Sequence, residues 1–349
     1  MSTEECTRLA PTGHGVLFTH AALWGAGAIA CTITDRARMG WTGGLTPSAV
    51  VTGISVDALA GGVHERAVAA TNRANWVQAG QPHEPDRALF SPRIKTLADD
   101  AAWAAWQAAR ARHVDQLTDT GSVLDLRLLA GLGEPSSWHE FRGQRRQDDG
   151  ASRLELQPRN QGSEFVGTRL RSLAAAVAGR RLDQVCAGLT GNEWVDEAGK
   201  DSPDSRSAAN LRPPGVTDNA LAWLAMWGLA SAPVVHLIGR PSRTATHVPW
   251  ERDIGLGDEV RGGHVVVPLW SGGWTVARLR SVLTSRALAE AGKFARTADQ
   301  VPAGREQQWL CERGVSGLVV MPVHTFGSTS SPERRVMAGR SVRFGEAVS

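Results

Sequence analysis

Tyrosine is absent from this 349-residue chain, and lysine is nearly so: Lys95, Lys200 and Lys293 are the whole complement. Positive charge therefore rests on arginine, whose planar fork of donors suits phosphate and carboxylate better than an ammonium does. Cysteine is sparse as well. Cys6, Cys31, Cys186 and Cys311 form no C-x-x-C pair, which argues against a zinc site or a disulfide framework and points to a reducing compartment. No run of eighteen apolar residues occurs, and the opening Met1-Ser2-Thr3-Glu4-Glu5 has no basic segment leading into an apolar one. A membrane partner and a secretory signal are not expected, and a cytoplasmic location is.

The common catalytic signatures are missing too. Gly25-Ala26-Gly27-Ala28-Ile29-Ala30 satisfies G-x-G-x-x-A in form. A dinucleotide loop needs a preceding strand and an acidic residue about twenty positions on, whereas this flank is helical in character and Asp35 comes too soon. A close-packing face of small residues accounts for it better. Gly292-Lys293 is followed by Phe294, so there is no P-loop; His64-Glu65 has no second histidine at the spacing of a metalloprotease helix; and no G-x-S-x-G elbow occurs. His236, His247 and His264 fall in one candidate sheet region, but such histidines are more often structural than metal ligands. Neither a cofactor, a metal nor a catalytic residue is expected.

What is present is an ordinary globular balance, 42% hydrophobic and 21% charged, with thirteen tryptophans. The length suits one large or two modest domains. Apolar patterning predicts helices over residues 14–33, 56–77, 98–114, 163–179, 219–230, 276–283 and 285–297. Strands are expected over 49–54, 152–156, 233–238, 263–269 and 317–321, with 124–132 ambiguous. The class is α+β, mixed helices and short sheets. An N-terminal α+β module over 1–135, an arginine-rich helical and loop segment over 136–216, a C-terminal α+β module over 217–325 and a mobile tail over 326–349 are the expected divisions. Ala22-Leu23-Trp24-Gly25 is echoed by Ala225-Met226-Trp227-Gly228, and Trp41-Thr42-Gly43-Gly44 by Trp270-Ser271-Gly272-Gly273, in the same order. Two related helix-then-sheet modules would explain the echo, as would chance.

Charge is concentrated. Residues 142–181 hold nine arginines against four acidic residues, while the whole chain carries only +3. Such a segment is either a solvated face or a surface for nucleic acid or another acidic partner. Arg145, Arg146, Arg159, Asn160, Arg169 and Arg171 are the candidate anion contacts, with Arg159 and Asn160 placed just before a helix start where free backbone N–H groups favour a phosphate. Residues 191–215 are too long for a plain connection, and such loops are usually functional or disordered. Asp204, Arg206, Arg212 and Asp218 are its polar candidates. The same carboxylates and arginines equally suit a structural clamp, and Asp218 suits the N-cap of the following helix.

The blocks Arg159-Asn160-Gln161-Gly162-Ser163-Glu164-Phe165-Val166-Gly167, Ala187-Gly188-Leu189-Thr190-Gly191, Asp204-Ser205-Arg206 and Thr217-Asp218-Asn219-Ala220-Leu221-Ala222-Trp223 resemble a protein encoded in type I-G (formerly I-U) CRISPR operons, related to the extension module associated with the type I helicase–nuclease. The resemblance spans roughly residues 14–275. It implies a subunit or accessory protein of antiviral defence, with CRISPR-associated proteins such as the helicase–nuclease, guide RNA or target DNA as partners. It carries over no catalytic residue, because the helicase and nuclease motifs are absent here. Two other readings stand beside it: a small-molecule enzyme with a polar site among Arg159, Asp204, Arg206 and Asp218, and a protein–protein adaptor with an exposed tryptophan patch.

Overall fold

The computed structural model describes residues 5–10, 12–43, 47–91, 97, 99–132, 139–141, 144–146, 164–231, 264–328 and 331–345. Two helices form its centre: α1 (Leu17–Ile33), buried without interruption from Leu17 to Ala30, and α7 (Asn219–Ser231), buried from Asn219 to Leu229. A helix apolar on all sides has to be enclosed by other elements, and these two are enclosed partly by each other. A Cβ placed on Gly25 would lie 1.8 Å from the Leu224 carbonyl oxygen, and one on Gly228 would lie 1.8 Å from that of Ala21. Each glycine thus meets the carbonyl four residues before its counterpart, an exchange with local two-fold symmetry. The small-residue face expected at residues 25–30 is borne out, since Gly27 is likewise filled by the Met39 side chain.

The second half of the echo is also a contact. β2 (Arg38–Trp41) lies between β3 (Ala49–Thr52) and the turn that follows β6 (His264–Trp270). Met39 and Trp274 exchange both backbone hydrogen bonds at 2.8 Å, and the Trp41 and Trp270 rings meet edge to face with centroids 5.8 Å apart. The Trp270 indole N–H donates to the Met39 carbonyl at 3.2 Å. Residues alike in sequence therefore pack on one another, and both halves of the chain feed one hydrophobic core.

The fold is α+β. β1 (Cys6–Arg8), β3 and β2 make an antiparallel sheet in that order. α2 (Val56–Thr71), capped by the Ser55 hydroxyl on the Ala58 N–H, leads to a 3-10 turn at Trp76–Gln78. α3 (Asp100–Asp119) starts on an Asp99 cap, and residues 123–132, ambiguous in sequence, form α4 (Val123–Leu132). β4 (His139–Phe141) and β5 (Gln144–Arg146) pair as a ladder that carries Arg145 and Arg146. A π-helical segment, Glu164–Leu170, runs into α5 (Arg171–Ala178), and α6 (Leu182–Thr190) follows. After β6 come α8 (Val276–Leu283), α9 (Arg286–Thr297), β7 (Gln300–Val301), α10 (Arg305–Glu312) and β8 (Val315–Ser328).

The stretch expected to be a mobile tail instead contributes β9 (Ser331–Val336) and β10 (Arg340–Phe344). β10 enters the sheet between β8 and β7, where Val342 is buried, and Gly339 donates its N–H to the Gly15 carbonyl at the approach to α1. Its alternation is short and interrupted by arginines, so hydropathy alone concealed it. The strand candidates at 152–156 and 233–238, together with Arg159, Asn160, His236 and His247, lie outside the described residues. Among the described residues no helix is long and apolar enough to cross a membrane.

Candidate functional site

The candidate site is built on an irregularity in a helix. Phe165 and Leu170 are both buried, five residues apart. That step matches the i→i+5 bonding of a π-helix rather than the 3.6-residue period, and π segments recur at functional sites. With Phe165, Val166 and Leu170 turned into the core, Thr168 is exposed and Arg169 half-buried on the outer side. Ser172 and Leu173 continue that wall into α5.

The facing wall is the loop from Val195 to Asp218, shaped by one buried carboxylate. Asp196 is fully buried and accepts from the Ser205 hydroxyl at 2.6 Å, the Ser207 hydroxyl at 2.9 Å and the Asn219 amide at 2.8 Å. It also accepts the backbone N–H groups of Gly199 at 2.9 Å and Thr217 at 3.1 Å. A carboxylate taken from water is tolerable when donors surround it in this way. The loop holds four non-glycine residues in the left-handed region: Lys200 (φ 54°), Asp201 (φ 49°), Ala209 (φ 53°) and Asn210 (φ 62°). Each such residue costs roughly 1–2 kcal/mol, and strain of this kind persists only where the surroundings impose it, often at functional sites.

Arg180, just after α5, ties the loop to the core. Its Nη1 donates to Asp218 at 2.8 Å, its Nε and Nη2 grip Glu197 at 2.7 and 2.6 Å, and Nη2 also reaches the Val195 carbonyl at 2.6 Å. Burial works against the arginine's charge, but Glu197 and Asp218 outweigh it and its pKa is raised. At Asp218 burial dominates instead and moves its pKa up, against the pull of Arg180. The two directions differ because Asp218 is fully buried with one cation, whereas Arg180 has two carboxylates. Asp218 also accepts from the Ala220 N–H at 2.8 Å, the helix-capping role expected of it. Its approach requires Gly188, where a Cβ would lie 2.4 Å from the carboxylate.

Between the two walls lies an open cleft of about 240 Å³, lined by Thr168, Arg169, Ser172, Leu173, Ala198, Gly199, Arg206 and Ser207. Arg169 donates to the Arg206 carbonyl, so it bridges the walls and sets two arginines at one opening. The geometry thus brings together Arg169 and Arg206 from the expected set. Asp204 is exposed and accepts from the Ser202 hydroxyl at 2.5 Å. Arg212 is half-buried, and that burial lowers its pKa. Asp218 is buried against Arg180 and does not line this cleft.

Arg171 is engaged elsewhere. Its Nε and Nη2 donate to the Val77 and Ala79 carbonyls at 2.8 and 3.1 Å, and Nη1 reaches the Asp86 carbonyl at 3.5 Å, which fastens α5 to the 3-10 turn. Sequence reasoning missed Arg180, Asp196, Glu197 and Asn219. Asp196 and Glu197 lie within residues 191–215, read only as one long polar loop, Arg180 was counted only among the arginines of 142–181, and Asn219 only as the start of the following helix.

Comparison of the chain with protein-family models, with characterised proteins and with solved structures gives no match. Function has to be read from the site itself. The site offers two guanidinium-bearing residues and two hydroxyls, from Thr168 and Ser172, on a preshaped opening, which is the chemistry of oxyanion recognition. Eleven of the thirteen tryptophans fall among the described residues, and of these only Trp194, at 37%, is exposed. An adaptor patch built of tryptophan gains no support from them.

Proposed function

We propose that this chain is a non-catalytic accessory subunit of a type I-G CRISPR defence system, and that it contacts the phosphate backbone of guide RNA or target DNA. The observation that carries the reading is the placing of Arg169 and Arg206 at one open cleft beside the hydroxyls of Thr168 and Ser172. Arginine forks and hydroxyls are the usual donors to phosphate oxygens, and such contacts position a strand without reading its sequence. The resemblance of four sequence blocks to proteins of CRISPR operons supplies the setting, and unwinding and cleavage would belong to partner proteins.

Fluorescence anisotropy with labelled RNA and DNA, from roughly 50 to 200 mM salt, tests it. Binding is expected to weaken linearly on a log–log salt plot. Arg169→Ala and Arg206→Ala should each lower affinity and reduce the slope by about one. Absence of binding at the lowest salt, or variants that bind like the parent, would overturn the nucleic-acid reading. Failure to co-assemble with the other proteins of a type I-G operon and its guide RNA would remove the CRISPR setting.

A further inference from the structure

One side of α6 packs into the core through Val185, Gly188 and Leu189, all buried. Its other side does not. Leu182, Cys186 and Thr190 recur every four residues, with Asp183 and Ala187 beside them, so they share one helical face, and none of the five is buried. Leu182 is 44% exposed. The start of α2, Val56 and Asp57, stands opposite this face, and the two sides line a groove of about 420 Å³. The Cys186 thiol reaches across it and donates to Asp57 Oδ1 at 3.4 Å. Asn192 belongs to the same lining, folded back by its N–H on the Ala187 carbonyl at 2.9 Å.

The lining joins an apolar surface to negative charge. Val56, Leu182 and Ala187 supply the first, Asp57 and Asp183 the second, and no basic residue takes part. Asp57 is exposed, and among the described residues the Cys186 thiol is its one side-chain partner. Asp183 pairs with Arg181 at 2.8 Å, but those side chains are 69% and 71% exposed, and a pair so open to water is weak enough to be exchanged. Both carboxylates stand in the first turn of a helix, where the dipole favours them. That accounts for their charge and not for the apolar surface beside them. Burial first, then Asp57, hold the Cys186 thiol protonated, its pKa pushed up to about 11, and the Asp183 charge adds to this. The thiol is therefore a wall of the groove and not a nucleophile. The group complementary to such a surface is a cation on an alkyl stem, since lysine and arginine lay their methylenes on apolar surface and carry the charge to its edge. From Leu182 to Thr190 the face runs about 12 Å, the reach of three or four extended residues.

We infer that the groove between α6 and the start of α2 docks a basic segment of a partner protein, with an arginine or lysine stem on Val56, Leu182 and Ala187 and its charged head on Asp57 and Asp183. Arginine is among the residues that carry most energy at protein interfaces. The groove shares no residue with the arginine cleft and does not rest on the nucleic-acid reading, so either can fail alone.

Fluorescence anisotropy of the whole chain with a fluorescein-labelled octapeptide of leucine and arginine, and with its leucine–glutamate counterpart, tests the inference. The arginine peptide should bind and the glutamate peptide should not. The double variant Asp57→Asn/Asp183→Asn should weaken binding about fivefold. Leu182→Arg, at an exposed position that leaves the core untouched, should abolish binding by setting a cation in the groove. Either variant binding like the parent, equal binding of the glutamate peptide, or no binding at millimolar peptide would overturn the inference. Displacement of the arginine peptide by spermidine at equal concentration would replace the partner side chain by a small polyamine and overturn it as well.

Discussion

Substituting alanine at Gly25 tests the central packing directly. The added methyl would start 1.8 Å from the Leu224 carbonyl oxygen, whereas carbon and carbonyl oxygen in contact lie about 3.3 Å apart. The obstruction is backbone, so no side chain can rotate away and α1 and α7 must separate by about 1.5 Å. Overpacking of well-packed cores costs about 1–3 kcal/mol, and a backbone clash belongs at the upper end. Alanine recovers about 1 kcal/mol of helix propensity over glycine, leaving a net loss of about 2 kcal/mol. Gly61 is the internal control. It too lies inside a helix, α2, but nothing lies within 4 Å of its Cβ position, so Gly61→Ala should stabilise by roughly 0.5–1 kcal/mol. In thermal melts, at roughly 2 °C per kcal/mol for a chain this long, Gly25→Ala should fall by about 4 °C while Gly61→Ala rises slightly. Because Gly228 meets Ala21 in the reciprocal contact, one separation of the helices accommodates both methyls. The double variant Gly25→Ala/Gly228→Ala should therefore cost clearly less than the sum of the singles. A Gly25→Ala protein as stable as Gly61→Ala, or strict additivity of the pair, would refute the crossing.

His20, fully buried, donates through Nε2 to the His14 carbonyl at 2.7 Å, and burial first of all holds its pKa down at about 4, against an ordinary value of 6.5. The unfolded chain therefore binds the proton first, and the stability this ring contributes is complete above 6.5 and lost as pH falls towards 4. Urea melts should show His20→Phe sparing the protein about 2 kcal/mol of the loss between pH 7 and pH 5, and parallel losses in both proteins would refute it. Asp196→Asn places an amide donor among five existing donors and should cost about 3 kcal/mol. Limited trypsinolysis should then cut faster after Lys200 and Arg206, and an unchanged rate would show that Asp196 does not hold the loop.

The helices of the centre were legible because apolar runs and capping residues agree with the final structure. The residues 276–283 form α8 as expected, Asp218 caps α7, and the small residues at 25–30 pack closely, Gly25 on α7 and Gly27 on Met39. The π segment was not legible as such. Its burial pattern departs from helical periodicity by only one residue, and the sequence from 163 to 179 reads as plain helix. Nor could spacing separate Arg169 from Arg171. Two positions apart on a helix they face different ways, one to the cleft and the other to the carbonyls of Val77 and Ala79. The loop hub was hidden because its meaning lies in contacts across up to twenty-three residues, from Asp196 to Asn219. No local pattern encodes those.

Both walls of the cleft are fixed to the same helix. Arg180 joins the end of α5 to Asp218, and Asp196 joins the opposing loop to Asn219; these two acceptors and donors stand at the very start of α7. α7 is in turn locked at Gly228 against α1, the most enclosed helix of the fold. A recognition site supported in this way is held in position by the core rather than by the loop's own stiffness. The left-handed strain at Lys200, Asp201, Ala209 and Asn210 then has a physical counterweight, since a loop pinned at Asp196 and Asp218 cannot relax without breaking buried polar contacts. The two tryptophan–glycine echoes and the arginine cleft, unrelated in sequence, are mechanically one structure.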